Sequence, residues 1–242
     1  MSLVANARAA FGGDRAGSRA LAWHAIGSPL PFAHYGISTA AGTFRVQLET
    51  IRDRVVPLDL VSDGIALTFD DGYADFADTV LPLLLEMRLS ATVFLTTAFV
   101  KQGRPLYLSL SDLRAIAGTP GLRIGSHGVT HCRLTGCDDQ RLRSELRDSR
   151  HMLEEWSGQE VTAVAYPHGD VDLRVRDAAE EAGYRLGCTT RFGTNSPTRD
   201  RLLLCRAEII SSDSPRDFHN KAAGHWDDWG LRHRDAAAKG MR

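Results

Sequence analysis

The stretch Gly64-Ile65-Ala66-Leu67-Thr68-Phe69-Asp70-Asp71-Gly72 decides how this chain is read. Its first six residues form a short, almost unbroken apolar run, which predicts a buried strand. The run then ends in two carboxylates and a glycine. Consecutive side chains on a strand point to opposite faces, so two adjacent carboxylates serve one site only where the chain turns. Gly72 permits that turn, because it tolerates backbone angles that other residues resist. Alone, Asp-Asp-Gly after a strand is more often a plain turn and helix cap. Its meaning depends on what the rest of the chain brings beside it.

Strand-like and helix-like segments alternate on both sides of this stretch. Upstream, Arg19 to His24 reads as a short strand entering the loop at Gly27-Ser28-Pro29. Thr43 can cap a helix in which Phe44, Leu48 and Ile51 recur at helical spacing. Downstream, Phe76, Val80, Leu83, Leu84 and Met87 mark an apolar helical stripe, and Ala91 to Leu95 is a second buried strand rich in β-formers. Ser111 starts a short helix through Leu113 and Ile116, and Leu122 to Gly125 is a brief strand. Asp138 or Asp139 caps a long helix with Leu142, Leu146, Leu153 and Trp156 on one side. Val161 to Tyr166, Tyr184 to Thr189 and Ala207 to Ile210 read as strands, and Leu173 to Ala182 as a helix. Strands separated by helices call for a mostly parallel sheet, and several such units can close into an α/β barrel.

Composition sets limits on function. The 242 residues are 43% apolar and 24% charged, ordinary for a globular protein with a normal core. A formal net charge of −1 gives no general attraction to nucleic acid or to an anionic membrane. No apolar stretch reaches the ~18 residues of a membrane helix. Residues 1–20 carry Arg8, Asp14, Arg15 and Arg19 and do not read as a secretory signal, so the expected location is cytoplasmic; export stays open if a leader was trimmed. The four cysteines, Cys132, Cys137, Cys188 and Cys205, form no CxxC pair and read as spare thiols in a reducing compartment.

Two further segments follow predicted strands: Ser126-His127-Gly128-Val129-Thr130-His131 and Tyr166-Pro167-His168-Gly169. In parallel α/β folds such strand ends meet at one face, where sites lie. The four-residue spacing of His127 and His131 predicts two rings on one face of a helical turn, with Ser126 and Thr130 orienting them. A hydrolytic metal usually takes three His or carboxylate ligands and leaves one position open. Asp71, His127 and His131 can supply those three, and Asp70 stays free to move a proton. The expected cofactor is one divalent ion, zinc first, with cobalt, nickel, manganese and iron compatible. Tyr166, Pro167 and His168, with Gly72, are expected to line the substrate pocket, with a backbone N–H near His168 offered to an oxyanion.

Thr68 to Gly72, Ser126 to His131 and Ala165 to Gly169 resemble the first three motifs of the polysaccharide deacetylases, the carbohydrate esterases of the NodB-homology group. The resemblance runs from about Leu21 to about Ile210. It implies a single-domain distorted (β/α) barrel with about seven parallel strands, and metal-dependent removal of N-acetyl, sometimes O-acetyl, from a sugar. It also implies that Asp71, His127 and His131 hold the ion and that Asp70 is the general base. Two departures stand out. Ala163-Val164-Ala165-Tyr166-Pro167-His168 lacks the Arg that the family's third motif usually carries. The late strand Leu202-Leu203-Leu204-Cys205-Arg206-Ala207-Glu208-Ile209 lacks the usual Leu-x-His acid. However, Ala22-Trp23-His24-Ala25-Ile26 resembles the Tyr-His segment of the permuted branch, which includes the poly-N-acetylglucosamine deacetylases. By that resemblance His24 is the general acid and Arg206 supports the catalytic carboxylate.

The expected layout is a catalytic domain over residues 20–212, flanked by extensions at 1–19 and 213–242. Trp226 and Trp229 suggest that part of the last segment packs onto the domain. The leading reading is an amidohydrolase acting on an acetylated amino sugar, with a carbohydrate as its partner. A C–N hydrolase or deformylase acting on a small or lipid-linked molecule would use the same fold. A catalytically silent carbohydrate-binding domain would have no use for the carboxylate of Asp70.

Overall fold

The computed structural model describes residues 17–28, 30, 36–60 and 64–227. Strand β1 (Ser18–Trp23) opens the fold, and two short strands, β2 (Ala25–Ile26) and β3 (Ser38–Thr39), pair with each other beside it. Helix α1 (Ala41–Ile51) leads to β4 (Gly64–Phe69). A π-helical turn at Phe76–Val80 runs into α2 (Leu81–Met87), followed by β5 (Ala91–Leu95), α3 (Thr97–Gln102) and α4 (Leu110–Ala117). Then come β6 (Leu122–Ser126), α5 (Asp139–Ser157), β7 (Ala163–Ala165) and α6 (Leu173–Glu181). Strands β8 (Leu186–Cys188) and β9 (Ala207–Glu208) and helix α7 (Pro215–Ala223) complete the described chain.

Seven strands form one parallel sheet in the order β8-β7-β6-β5-β4-β1-β9. The expected α/β fold with about seven parallel strands is what the chain adopts. Strand β1 lies beside β4 in register from Ser18 opposite Gly64 to Trp23 opposite Phe69. His24 therefore leaves the sheet at the same level as Asp70, whose N–H donates to the Trp23 carbonyl at 2.9 Å. The far edges meet through the segment before β9. Leu204 bridges Cys188, Leu204 N–H donates to Gly187 O at 2.7 Å, and Arg206 N–H donates to Arg191 O at 2.8 Å. On its other side the same segment continues into β9 on β1, where Ile209 N–H donates to Ala22 O at 2.8 Å. One stretch of backbone thus hydrogen-bonds both edges and curls the sheet into a distorted barrel.

Every residue of β1, β4 and β5 is buried, as a parallel sheet covered by helices requires. Trp23 stacks on Phe69 at 5.7 Å between ring centroids, and Phe44 of α1 meets both rings edge-on at 5.6 and 5.8 Å. The Trp23 indole N–H is satisfied by Gln47 Oε1 at 3.0 Å. This cluster sits directly behind the end of β4 and fixes where Asp70 emerges.

Local details depart from the sequence reading at helix starts. Thr43 is not a cap: α1 begins at Ala41 behind Ala40, with no side-chain cap bond. Ser109, not Ser111, caps α4, because Asp112 three residues on returns a bond to the Ser109 N–H at 2.9 Å. Asp138 rather than Asp139 caps α5. In the C-terminal segment, α7 places Phe218 in the main core, 6.4 Å from Trp23, and Trp226 is buried beside Phe192. Trp229 and residues 1–16 lie outside the described residues. Among the described residues no helix is long and apolar enough to cross a membrane.

Phe44 touches the aromatic cluster but not the site. Phe44→Ala is expected to cost about 3–5 kcal/mol of stability, read from urea unfolding.

Candidate metal centre

Asp70 and Asp71 leave β4 where the backbone turns sharply: φ is +68° at Asp71 and +76° at Gly72, and Gly72 N–H closes onto Asp70 O at 2.8 Å. A side chain at Gly72 would put its Cβ 2.5 Å from Leu95 Cδ2, so only glycine fits this turn. The turn brings both carboxylates to the C-terminal mouth of the barrel, where β6 delivers His127.

Asp71, His127 and His131 converge, with their candidate ligand atoms within 4.8 Å of one another. Asp71 Oδ1 lies 3.6 Å from His127 Nε2 and 3.3 Å from His131 Nε2. His127 Nδ1 sits 2.7 Å from the Ala165 carbonyl and donates to it, which leaves the Nε2 lone pair facing Asp71. Burial pulls the His127 ring down to about 4 against the opposing pull of Asp70 and Asp71, so it is neutral near pH 7. Asp71 Oδ1 is buried with no hydrogen-bond partner among the described residues. Such an oxygen is costly to bury unless something positive faces it. Two imidazole nitrogens and that oxygen suit a divalent hydrolytic ion. The residues present fit the group.

The His127–His131 pair does not form a helical turn. The backbone there is an open loop with φ +78° at Gly128 and +61° at His131, and the rings meet because the loop folds back. Glu145 of α5 holds the fold-back. Its Oε2 accepts from Val129 N–H at 2.8 Å and Thr130 N–H at 2.9 Å, and its Oε1 accepts from the Thr130 hydroxyl at 2.6 Å. Ser126 Oγ accepts from Gly128 N–H at 3.1 Å and lies 2.8 Å from Ser149 Oγ. Ser126 and Thr130 therefore orient the loop backbone rather than the rings themselves. Sequence reading missed Glu145. A signal was present: Glu145 and Ser149 share the buried stripe of α5 with Leu142, Leu146 and Leu153.

Asp70 meets Arg206 end-on, through both Nη atoms. Nη1 to Oδ1 is 2.5 Å and Nη2 to Oδ2 is 2.7 Å, with 1% and 4% of the two side chains exposed. Burial alone would raise the Asp70 carboxyl. Arg206, with His127 and His24 nearby, overrides that and brings it down to about 2. The guanidinium is itself pinned, with Nε donating to Thr189 O at 3.2 Å and its carbon 5.5 Å above the Phe94 ring. His24 is largely buried, with Nδ1 3.7 Å from Glu208 Oε1 and no hydrogen-bond partner at that nitrogen.

The expected pocket wall needs correction. Tyr166 is fully buried and its hydroxyl donates to Leu202 O at 2.9 Å, so it braces β7 against the closing segment and presents no exposed surface. Pro167 is buried. Gly72 is also buried, with its carbonyl taken by Leu108 N–H at 2.9 Å. The N–H groups of Gly169 and Asp170 close their own turn onto Tyr166 and Pro167. His168 alone of these four presents an exposed side chain. It has φ +60° and its ring is 4.5 Å from His131. Burial, together with His131 and Arg133, holds its pKa below the usual histidine value.

Because Glu145 shapes the loop without touching the candidate ligands, Glu145→Ala is expected to keep the fold by circular dichroism. Zinc affinity, measured by chelator competition, should fall about 10- to 100-fold.

The profile described as polysaccharide deacetylase matches residues 60–187, more than half of the chain. The Bacillus subtilis protein YxkH is 30% identical over 154 residues, which is 64% of this chain and 54% of that protein. The peptidoglycan-N-acetylglucosamine deacetylase of Bacillus cereus is 32% identical over 122 residues, 50% of this chain and 54% of the relative. The solved structure of Streptococcus pyogenes deacetylase PplD in complex with acetate superposes with a TM-score of 0.75 at 25% identity. That match covers 85% of this chain and 98% of the other. The chain spans about half the length of the curated relatives it matches. The profile span holds Asp70, Asp71, His127, His131 and His168, whereas His24 and Arg206 lie outside it. On this match, with the barrel and its strand-end site, the chain belongs to the polysaccharide deacetylase family.

Proposed function

We propose that this protein is a metal-dependent deacetylase that hydrolyses N-acetyl groups, and by the same chemistry O-acetyl groups, on an amino-sugar glycan or glycan precursor. One observation carries the reading: the orphaned Asp71 Oδ1 faces two imidazole Nε2 atoms, one residue away from a carboxylate that Arg206 keeps ionised. The name of the Bacillus cereus relative supports an N-acetylated amino sugar as the substrate class.

A divalent ion bound by Asp71, His127 and His131, with zinc the first candidate, supplies an acidified water and polarises the acyl carbonyl. Asp70 takes the proton of the attacking water. Arg206 occupies one lone pair on each carboxylate oxygen, and each oxygen keeps another for that proton. Arg206 also fixes the plane of the carboxylate, so its role is positioning. His24, when protonated, gives its proton to the departing nitrogen, which is otherwise a poor leaving group. With Nδ1 turned towards Glu208, Nε2 is the nitrogen that delivers it. His168, exposed beside His131, borders the position where the acyl group must sit.

The test is metal content together with acid release: acetate from chitooligosaccharides and acetylxylan, and formate from an N-formyl amino sugar. Release from the first at one ion per chain supports the proposal, whereas turnover of the formyl compound alone replaces it with the deformylase reading. Asp70→Asn is expected to retain the ion and lose turnover by ~100- to 10,000-fold, with folding checked because it strands the buried Arg206 cation. Loss of the ion instead would exchange the roles of Asp70 and Asp71. His24→Ala is expected to slow an unactivated amide by a similar ~100- to 10,000-fold and to spare an activated aryl ester. Equal effects on the two substrates would remove His24 from the mechanism.

A further inference from the structure

His131 runs straight into a short loop with a cysteine at each end, Cys132 and Cys137. The loop folds through a 3-10 turn at Leu134–Gly136, and Gly136 and Cys137 N–H close onto Arg133 and Leu134 carbonyls at 3.2 Å each. That turn brings the two thiols together, with Sγ to Sγ at 3.4 Å. The rest of the loop is fastened down. Leu134 is fully buried, the Thr135 hydroxyl donates to Asp170 at 2.6 Å, and Arg174 donates to the Thr135 and Cys137 carbonyls at 3.1 and 2.9 Å. Cys137 is 9% exposed, whereas Cys132 is half-buried and open to a small reagent. A disulfide needs its sulfurs at ~2.0 Å, so the thiols need close by little more than an ångström.

We propose that Cys132 and Cys137 form a reversible disulfide site that clamps the loop bearing His131. With hydrogen peroxide as oxidant, the Cys132 sulfur attacks one peroxide oxygen. The O–O bond breaks, the released oxygen leaves as water, and Cys132 becomes a sulfenic acid. The Cys137 sulfur then attacks the Cys132 sulfur and forms the S–S bond. The expelled hydroxide takes the Cys137 proton and leaves as a second water. Two thiols lose two electrons and one peroxide gains them; a thiol reductant reverses the change. The bond would tie Cys132, the residue after His131, to the end of the loop anchored on Asp170 and Arg174. His131 would then be fixed from both sides, by Glu145 before it and by the disulfide after it. Cys188 and Cys205 are both buried and are the internal controls.

The chemistry of the pair stands without the metal reading, whereas its effect on His131 rests on that reading. The experiment treats the metal-loaded full chain with graded hydrogen peroxide, blocks free thiols, and digests with trypsin without reduction. Cleavage after Arg123, Arg133 and Arg141 puts the two cysteines on separate peptides, 124–133 and 134–141. The expected result is those peptides joined, with a loss of two hydrogen masses, while Cys188 and Cys205 stay blocked as thiols. Joining should disappear in Cys137→Ser and in Cys132→Ser and reverse with dithiothreitol. Oxidation of Cys188 or Cys205 first, or of Cys132 to a sulfinic acid without joining, overturns the site. The rate of metal loss to a chelator is then compared before and after oxidation. Slower loss in the joined form supports the clamp, and an unchanged rate overturns it. A chain that binds no metal but still joins the peptides overturns the metal reading alone.

Discussion

The buried pair between Arg206 and Asp70 is the constraint on which the rest of this barrel depends. Both side chains are almost wholly removed from water, and each alone would be a severe liability in that position. Together they join an inner strand of the sheet to the segment that closes it, since Asp70 follows β4 and Arg206 lies just before β9. Removing either partner leaves an uncompensated charge, a loss on the order of 3–5 kcal/mol. The same contact sets the chemistry. Arg206 overrides the effect of burial and holds the Asp70 carboxyl well below the usual range, so it is ionised near neutral pH, as the proposed role of proton acceptor requires.

Strain gathers around that pair. Four non-glycine residues of the described chain have positive φ, and three of them, Asp71, His131 and His168, surround the candidate metal position. Each adopts a conformation that costs of order 1 kcal/mol or more and persists because neighbours over-determine it. For Asp71 the neighbours are the Gly72 turn and Leu95, and for His131 they are Glu145 and its three acceptor bonds. The rings are therefore placed by backbone geometry that a regular helix could not supply.

That geometry explains what could and could not be read from the residues alone. The run from Gly64 to Phe69 and the run from Ala91 to Leu95 were legible to the residue, because fully buried parallel strands are continuous in apolar character. The juxtaposition of Asp71, His127 and His131 was legible because each follows a strand. The shape between the histidines was not. A spacing of four fits a helical turn, but Gly128 and His131 take left-handed angles that only a tertiary partner can enforce. That partner, Glu145, lies on a helix whose glutamates look like solvated surface unless its buried stripe is traced. Tyr166 was misplaced because a residue at a strand's end can face either the mouth or the wall, and its hydroxyl found the Leu202 carbonyl in the wall. His24 and Arg206 come from resemblance rather than pattern, and the structure sets both close enough to the Asp70 carboxylate to act on it electrostatically.

The closing segment has a temporal meaning as well as a spatial one. A ribosome releasing this polypeptide delivers Asp70, Asp71, His127 and His131 well before Arg206 emerges. Until the last strand docks, Asp70 lacks its Arg206 counter-cation and the sheet keeps an open rim. On the proposed mechanism, the carboxylate at the end of β4 gains its counter-cation in the same step that completes the barrel.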